Sequence, residues 1–358
     1  ALTAAGPIRT IDHKVPHLST VPAIKGEQVG IFVREKVAAG DARRPVVLMV
    51  HGATSPSTLA FDVGYKTYSW MAYLARAGFD VFAMDMTGYG QSAHPNMDDP
   101  CNVDPELQTT LIPKTLSAVC KPSYPFQLVN NQSESDDIDR VVEYIRKLRK
   151  VSKVHLLGWA LGGYRVGTYT NRYPEKVDRL FIYASAQYSR KGVSDAPATL
   201  PRPGFPITVQ SREIAERKRW NPFVRCVGQI EPNIQDLIWE MSTQADPIGM
   251  TWGPGVLRAP TRTNWGWNTE AAKKIKVPTM IIVGELDDLT ASNKELYEDL
   301  GADHKVFAGV SCASHFMLWE RQHTRLHDAS RQWLTNGTFN GATRGVFSID
   351  VQGRVIAQ

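Results

Sequence analysis

The strongest chemical signal in this sequence is a glycine-flanked turn at Ala160. Gly158 and Gly162 stand two residues to either side of Ala160, in the order GWALGG, between a short apolar run and a longer helical pattern. In the nucleophile elbow GxSxG, a serine occupies a turn so sharp that side chains at the flanking positions would collide with neighbouring chain. Both glycines of that pattern are present, and only the nucleophile is replaced. The turn therefore predicts a site of acyl transfer in which Ala160 occupies the serine position.

Short apolar runs alternate with helical patterns around this turn, as parallel strands joined by helical crossovers require. The predicted strands cover residues 45–50, 79–84, 153–157, 180–184, 277–283 and 305–307. The predicted helices cover residues 70–77, 133–150, 161–172 and 316–334. Alternation over residues 29–33 indicates leading antiparallel strands, and residues 345–357 indicate a small hairpin. The sequence thus predicts an α/β fold with a mostly parallel central sheet.

Four short motifs follow the predicted strands in a characteristic order. His51-Gly52 comes after the first central strand, the GYGQS motif of residues 88–92 after the next, and the GWALGG turn third. An acid and a histidine follow in the last third of the chain. This order resembles the α/β-hydrolase family, in particular lid-bearing esterases and lipases of the bacterial periplasm or exterior. The resemblance covers residues 28–186 and 277–335, and it implies a Ser-His-Asp hydrolase with no cofactor and no metal.

The resemblance also points to the acid that completes the machinery. Family members carry it in a loop after the strand that follows the lid, in a pattern like GExD. Asp287 matches within Gly284-Glu285-Leu286-Asp287, where it would orient the histidine and stabilise its charged form. Glu285 and Asp288 are the alternatives in the same loop.

The histidine is expected last, in a loop before the final helix, because serine, acid and histidine follow in that order in this fold. His315, in the sequence ASHF, fits. Three other histidines compete in this part of the chain, namely His304, His323 and His327. The first precedes a predicted strand and the other two fall within the predicted final helix, so surface or packing roles suit them better.

Two backbone N–H groups would form the oxyanion hole if the resemblance holds. By matching, they belong to Ala53, in the loop after the HG motif, and to Leu161, which follows the nucleophile position. Their N–H groups would face the alkoxide that develops in a tetrahedral intermediate. His51 is expected to be a structural hydrogen-bonding residue rather than a catalytic one.

The strand and helix alternation stops between residues 187 and 275. This stretch is rich in Pro and Trp, with helical patterns at residues 214–220 and 234–241. An insertion over the carboxyl ends of a sheet is where a lid lies. We therefore expect a helical lid at residues 187–276 between two parts of a hydrolase core, 1–186 and 277–358. Bulky apolar side chains in the lid are candidates to hold a hydrophobic substrate, and they are Trp220, Trp239, Trp252, Trp265, Trp267, Phe205, Phe223, Met241 and Met250.

These features predict a carboxylic ester or lactone hydrolase that works through an acyl-enzyme, on a hydrophobic or aromatic ester. With Ala160 the chain lacks its nucleophile, although the acid, the histidine and both elbow glycines are retained. Their retention favours a deliberate replacement of serine over natural loss. Two alternatives stay open: a natural ligand-binding protein without catalysis, and a dehalogenase or epoxide hydrolase whose aspartate nucleophile was replaced.

Length, composition and charge limit the domain organisation and the classes of partner that the protein can have. A chain of 358 residues, 42% of them hydrophobic, can bury one catalytic core with an embedded subdomain. The net charge of +5 is spread out, and the basic runs at residues 146–150 and 217–219 are expected to be solvated helix faces rather than nucleic-acid sites. No apolar run reaches the ~18–20 residues of a membrane helix. We therefore expect a small-molecule partner, and the oligomeric state stays open.

The four cysteines suggest an oxidising compartment. Two disulfides, Cys101 to Cys120 and Cys226 to Cys312, would secure segments that lack a sheet to hold them. Four reduced thiols are the alternative, whereas the absence of CxxC spacing argues against a zinc site. A chain that starts at Ala1 also fits removal of a secretory signal. The prediction is a secreted or periplasmic protein.

Overall fold

Among the described residues, the main sheet contains ten strands, with β5 and β6 at its centre. A computed structural model describes residues 6–40, 43–193 and 199–358. The strand order is β1-β2-β4-β3-β5-β6-β9-β10-β11-β12, and a separate two-stranded sheet pairs β7 with β8. The strands are β1 (Ile8–Leu18), β2 (Gln28–Ala38), β3 (Val46–Val50), β4 (Asp80–Met84), β5 (Val154–Trp159), β6 (Val177–Tyr183), β7 (Ile207–Ser211), β8 (Val256–Pro260), β9 (Thr279–Gly284), β10 (Lys305–Val310), β11 (Arg344–Ile349) and β12 (Val355–Ala357).

Helices cover both faces of this sheet and contribute to the inserted segment, residues 187–275. They are α1 (Ser57–Phe61), α2 (Trp70–Arg76), α3 (Pro105–Gln108), α4 (Asn131–Arg149), α5 (Leu161–Arg172), α6 (Ile234–Ala245), α7 (Thr269–Lys274), α8 (Thr290–Asp299) and α9 (His323–Asn336). Among the residues that the structure describes, no helix is long and apolar enough to cross a bilayer.

The central strands are parallel and buried on both faces. Adjacent strands from β4 through β3, β5, β6, β9 and β10 to β11 all run parallel, while β1 and β2 lead in antiparallel. All five residues of β3 are buried, as the continuous apolar run VVLMV requires for a strand with helices on both sides. The α/β fold predicted from alternation is therefore confirmed, and the carboxyl ends of β3, β5, β9 and β10 lie along one edge.

The sequence-based prediction is wrong at the C-terminal end of the chain in two places. Residues 305–307 belong to β10, which is not the last strand of the sheet. Strand β11 pairs in parallel with β10 and adds to the sheet beyond it. The hairpin of β11 and β12 does form, but it belongs to the main sheet. The final helix begins at His323 rather than at residue 316. In the intervening stretch, the Ser314 hydroxyl accepts a hydrogen bond from the Phe316 N–H, which favours a tight turn instead of a helix.

The inserted segment contains strands as well as helices. Strands β6 and β9 pair directly, so the chain leaves the main sheet between them and returns. Within the segment, residues 214–220 form a π-helix and β7 pairs antiparallel with β8, so a two-stranded sheet accompanies the expected helical pieces. Arg258 of β8 forms ion pairs with Asp246 at 2.8 Å and with Asp98 of the core at 2.9 Å. These charges fasten the segment to the loop after β4.

Both disulfides form as predicted. Cys101 bonds to Cys120 and closes a loop between β4 and α4, while Cys226 of the inserted segment bonds to Cys312 after β10. The second bond links parts of the chain 86 residues apart. A crosslink of this kind stabilises the fold mainly by restricting the unfolded chain.

Arg165 of α5 forms hydrogen bonds with α4 and with the loops after β3 and β4, at the carboxyl edge of the sheet. Its side chain is fully buried and donates to the Glu134 carboxylate of α4 at 2.7 Å, to the His51 carbonyl at 3.1 Å and to the Tyr89 hydroxyl at 3.3 Å. A buried guanidinium needs such partners, because an unpaired buried charge is strongly destabilising. The loops after β3 and β4 are thereby tied to the helix that follows β5.

His51 holds the loop after β3 through both ring nitrogens. Its Nε2 accepts a hydrogen bond from the Met86 N–H at 3.1 Å, so the proton lies on Nδ1, which donates to the Gly52 carbonyl at 2.7 Å. Complete burial, with the nearby Arg165 charge, lowers the pKa of His51 to about 3. The imidazole is therefore neutral and structural, as the sequence predicted.

This buried histidine should make the protein less stable in mild acid. The unfolded chain binds the proton near pH 6.5 and the folded chain near pH 3, so the stability from the neutral ring is complete above pH 6.5 and is lost as pH falls. Between about pH 7.5 and about pH 5, His51 should account for ~2 kcal/mol of the fall in free energy of unfolding. Urea titrations at the two pH values should show a shallower fall by that amount for His51→Gln. The exposed-site control His304→Gln should match the parent; an identical fall in His51→Gln would contradict the assignment.

Candidate active site

Ala160 occupies a sharp turn where β5 ends and α5 begins. Its φ of +53° and ψ of −113° are sparsely populated for a residue with a side chain, and such backbone costs ~1–3 kcal/mol. A Cβ on Gly158 would lie 2.3 Å from the Gly162 carbonyl oxygen, and one on Gly162 would lie 2.0 Å from the Val50 carbonyl oxygen. Only glycine fits at either position. The steric reason given for the glycine-flanked turn thus holds in the structure.

Hydrogen bonds fix the turn to the neighbouring strand. The Ala160 N–H donates to the Tyr183 carbonyl at 2.9 Å, and the Ala160 carbonyl accepts from the N–H groups of Gly163 at 3.0 Å and Ala186 at 2.9 Å. The strained residue is therefore held by β6, by its own helix and by the chain that follows β6. A side chain at position 160 is presented in a fixed direction.

Asp287 and His315 meet as the sequence predicted. The Asp287 Oδ2 lies 2.9 Å from the His315 Nδ1, and both residues are buried. The second carboxylate oxygen accepts from the Leu289 N–H at 2.8 Å, which fixes the plane of the carboxylate. Because a carboxylate accepts hydrogen bonds, Nδ1 donates to Asp287, and in the neutral ring Nε2 carries the lone pair. The pair has the geometry that lets a histidine act as a base.

The histidine loop is anchored to the two strands beside the turn. The His315 carbonyl accepts from the Tyr183 hydroxyl at 2.6 Å and from the Trp159 Nε1 at 3.2 Å. Trp159 precedes Ala160 in the chain, so one indole ties the histidine loop to the glycine-flanked turn. Burial raises the pKa of Tyr183 well above its ordinary value, which keeps the hydroxyl protonated and able to donate.

Glu320 ties the same loop to the inserted segment. Its carboxylate accepts from the Ser314 N–H at 2.9 Å, from the Ser314 hydroxyl and from the Trp220 Nε1 at 2.9 Å. The disulfide between Cys226 and Cys312 joins the same two regions three residues before His315. The inserted segment and the histidine loop therefore form one connected structure.

One cavity of about 360 Å³ brings the sequence-predicted residues together. Ala53, Ala160, Leu161 and His315 all line it, on the side formed by the main sheet. As the first residue of α5, Leu161 has an N–H without an acceptor inside its helix, and the positive end of the helix dipole lies there. A ligand oxygen beside Ala160 would meet this positive end.

The other candidate acids and histidines have different surroundings. His323 and His327 pack in α9, where His323 stacks on Tyr68 with ring centres 3.9 Å apart, and His304 is exposed ahead of β10. Glu285 is exposed and accepts from the Cys312 N–H at 3.3 Å. Asp288 lines the cavity, and its burial and the Asp287 charge raise its pKa.

The sequence predicted only part of the apolar lining. Trp220, Phe223 and Trp239 of the inserted segment line the cavity, whereas Trp265 and Trp267 are buried in packing and hydrogen-bond to Asn131 and Ser185. Trp252 packs in a second core beneath the Cys101–Cys120 loop. The core supplies three further aromatic walls that the sequence analysis did not identify, namely Trp159, Phe316 and Trp319. Trp159 directly precedes Ala160 in the chain, and Phe316 and Trp319 follow His315 closely, so proximity to these two residues was the available signal.

In the basic run at residues 217–219, the expected solvated face holds for Arg217 and Lys218, which are exposed, and is wrong for Arg219, which is partly buried. Arg217 points outward with a 76% exposed side chain, while Lys218 and Arg219 line the cavity. The π-helix shifts successive side chains relative to an α-helix, which a helical pattern in sequence does not reveal. Arg262, in the loop after β8, also lines the cavity. Across the described ranges, no group of His, Cys, Asp and Glu side chains is placed to hold a metal ion.

Solved structures of several hydrolases share this architecture. A naproxen esterase from Bacillus subtilis is 13% identical with a TM-score of 0.53, over 92% of this chain and 93% of its own. An esterase from Thermogutta terrifontis is 17% identical with a TM-score of 0.52, over 90% and 98%. A monoacylglycerol lipase from Paleococcus ferrophilus is 18% identical with a TM-score of 0.51, over 86% and 99%. At these identities the likeness describes the fold.

Comparison at the level of sequence identifies the family. No curated protein matches the sequence. The family model described as alpha/beta hydrolase fold matches residues 45–322, which includes β3, the glycine-flanked turn, the inserted segment, Asp287 and His315. With most of the chain matched and the sheet and turn as described, this protein belongs to the α/β-hydrolase fold family.

Proposed function

We propose that this protein is the nucleophile-deficient form of a serine hydrolase that cleaves carboxylic esters or lactones. One observation carries the proposal: the strained turn at Ala160 and His315, whose ring is paired with Asp287, line a single cavity. A serine at position 160 would stand where an attacking hydroxyl is needed. The esterases and the lipase among the similar structures support the same class of reaction.

The mechanism follows from the roles that these positions would take. His315 accepts the proton of the serine hydroxyl as the oxygen attacks the ester carbonyl, and Asp287 stabilises the imidazolium that forms. The N–H groups of Ala53 and Leu161 donate to the carbonyl oxygen as it becomes an alkoxide. The alcohol leaves with the proton from His315, and water activated by the same histidine then releases the acid from the acyl-enzyme.

Alanine at position 160 is best explained as a replaced serine. The backbone there is strained, and positions 158 and 162 have no room for any residue larger than glycine. A turn with such an energetic cost is explained by the need to hold a nucleophile in one direction. The buried carboxylate–imidazole pair is likewise retained beside it. A protein adapted to binding alone has no chemical reason to keep both.

The cavity favours a hydrophobic substrate, and the inserted segment is proposed to be its lid. Indole and phenyl rings from both the core and the segment line the space, including Trp159, Trp220, Phe316 and Trp319. Such walls suit an aromatic or bulky apolar acyl or alcohol group. The two disulfides support a secreted or periplasmic location, since such bonds persist in oxidising compartments.

Replacement of Ala160 by serine should create an esterase. Ala160→Ser supplies the hydroxyl that His315 can deprotonate, and removal of a nucleophile from such a triad costs about 10⁶-fold in kcat. We expect hydrolysis of p-nitrophenyl esters of graded chain length to rise by at least ~10³-fold over the Ala160 protein. Initial rates of p-nitrophenolate release measure the difference.

The matched control is Ala186→Ser, which adds a hydroxyl to the same cavity at a neighbouring residue outside the strained position of the turn. It should stay as inactive as the parent. Failure of Ala160→Ser to exceed Ala186→Ser would refute the serine hydrolase. Release of halide or opening of an epoxide by Ala160→Asp would then favour the aspartate alternative, and tight ligand binding without turnover in all three forms would favour a binding protein.

Asp287 should matter for turnover more than for substrate binding. In the Ala160→Ser background, Asp287→Asn leaves the shape intact but lets the histidine adopt the wrong tautomer, for which a loss of about 10⁴-fold in kcat is expected with little change in KM. Steady-state kinetics on one p-nitrophenyl ester provide the measurement. Asp288→Asn is the control from the same loop and should change kcat by less than about tenfold. Equal losses in the two variants would show that Asp287 has no special role.

A further inference from the structure

The cavity carries positive charge that the protein itself does not neutralise. Lys218, Arg219 and Arg262 all line it, and among the described residues none of the three has a carboxylate within ion-pair distance. Glu216 lines the same space but is paired with Arg212 at 2.7 Å. The aromatic side chains of the cavity thus lie beside three cationic groups that form no ion pair within the described residues.

Arg219 is the most enclosed of these groups. Its Nη1 donates to the Gln210 side-chain carbonyl at 3.1 Å, and its guanidinium carbon lies 5.9 Å from the centre of the Phe316 ring. A guanidinium has five N–H donors, and the described contacts of Arg219 use one. Burial, followed by the neighbouring charge of Arg262, lowers the pKa of Arg219 to about 10, so the group remains charged at neutral pH.

The position of Arg219 connects it to both halves of the proposed catalytic machinery. Gln210, its hydrogen-bond partner, also accepts from the Thr54 hydroxyl at 2.8 Å, next to Ala53. On the other side, Phe316 contacts the His315 ring at a centre-to-centre distance of 5.4 Å. An anionic group held by Arg219 would therefore lie in the same cavity as the carbonyl that would be attacked.

A cation pair in a partly desolvated cavity is unfavourable without a counter-charge. Arg219 and Arg262 repel each other, and desolvation adds to the cost of keeping Arg219 charged. Asp288, which also lines the cavity, favours the charged form of Arg219 but makes no ion pair with it, and burial and the charge of Asp287 raise the pKa of Asp288 itself. A ligand carboxylate would supply the missing charge and match the planar guanidinium with two parallel hydrogen bonds.

We propose that Arg219 and Arg262 form a carboxylate subsite, so that the substrate is a monoanionic ester with a hydrophobic body and a free carboxylate at one end. A monoester of an aromatic dicarboxylic acid has this chemistry, as does an ester of a hydroxylated aromatic acid. The aromatic walls hold the body of the molecule, and the arginines hold the end opposite to the reacting bond. The inference rests on the proposed function for the identity of the reacting bond, but not for the anion site.

Binding to the Ala160 protein tests the subsite without any turnover. Two probe pairs differ only in charge: monobutyl terephthalate against its primary amide, and 4-(butanoyloxy)benzoic acid against its primary amide. Titration calorimetry should show at least one acid binding about tenfold or more tighter than its amide, because hydrogen bonds to charged groups contribute more than neutral ones. The pair that shows the preference places the carboxylate on the acyl or on the alcohol side. Equal affinities within both pairs, or no binding of either acid, would overturn the proposal.

Charge removal then assigns the preference to residues. Arg262→Gln, at an exposed position, should reduce the acid-to-amide ratio of affinities by about tenfold, and Arg219→Gln should do so too, with thermal unfolding used to show that the variant is folded. Arg217→Gln, on the same π-helix but directed to solvent, is the matched control and should keep the parent ratio. Asp288→Asn should raise the ratio, since it removes a competing carboxylate. An unchanged ratio in Arg262→Gln and Arg219→Gln would contradict the assignment.

The two proposals can fail separately. If Ala160→Ser hydrolyses neutral p-nitrophenyl esters while acids and amides bind equally, the hydrolase stands and the carboxylate subsite is wrong. If the acids bind preferentially but Ala160→Ser is inactive, the anion site stands and the proposed chemistry is wrong.

Discussion

A close approach between backbones at the end of β5 constrains the whole carboxyl edge of the sheet. Gly158 and Gly162 leave no room for a Cβ, because Gly162 packs directly against the Val50 carbonyl of β3. Between the two glycines, Ala160 adopts a strained conformation with φ of +53°. Strain of this kind persists only where surrounding structure determines it, and here β6 and α5 supply the hydrogen bonds that do so. The residue at position 160 consequently faces the cavity regardless of its side chain.

The position of His315 depends on the hydrogen bonds that its loop makes with the sheet and with the inserted segment. Tyr183 and Trp159 hold its backbone from the sheet, and Asp287 holds its ring. Glu320 and the Cys226–Cys312 disulfide extend the same connection to the inserted segment. Hydrogen bonds and the disulfide thus fix the aromatic and cationic side chains of the cavity relative to the histidine. Substrate recognition and catalysis would therefore depend on the same rigid part of the structure.

Sequence reasoning predicted the features that have strong local signatures. Buried parallel strands such as β3 are continuous apolar runs, and the glycine-flanked turn has steric requirements that few sequences meet. The pairing of Asp287 with His315 followed from motif order and position in the fold. The β7–β8 pair was missed because its residues alternate weakly and pair across a long stretch of chain. The place of Arg219 and Arg262 in the cavity wall was missed because it depends on a π-helix and on a loop, and only the tertiary structure shows it.

Covalent labelling of the nucleophile position tests the central claim most directly. A fluorophosphonate reacts with a serine that a neighbouring histidine activates, and intact-mass spectrometry counts the adducts. The account predicts one adduct per chain in the Ala160→Ser protein, mapped by peptide sequencing to position 160, and none in the Ala160 protein. It also predicts that the adduct is lost when His315→Ala is added. An unlabelled Ala160→Ser protein that is correctly folded would contradict the account.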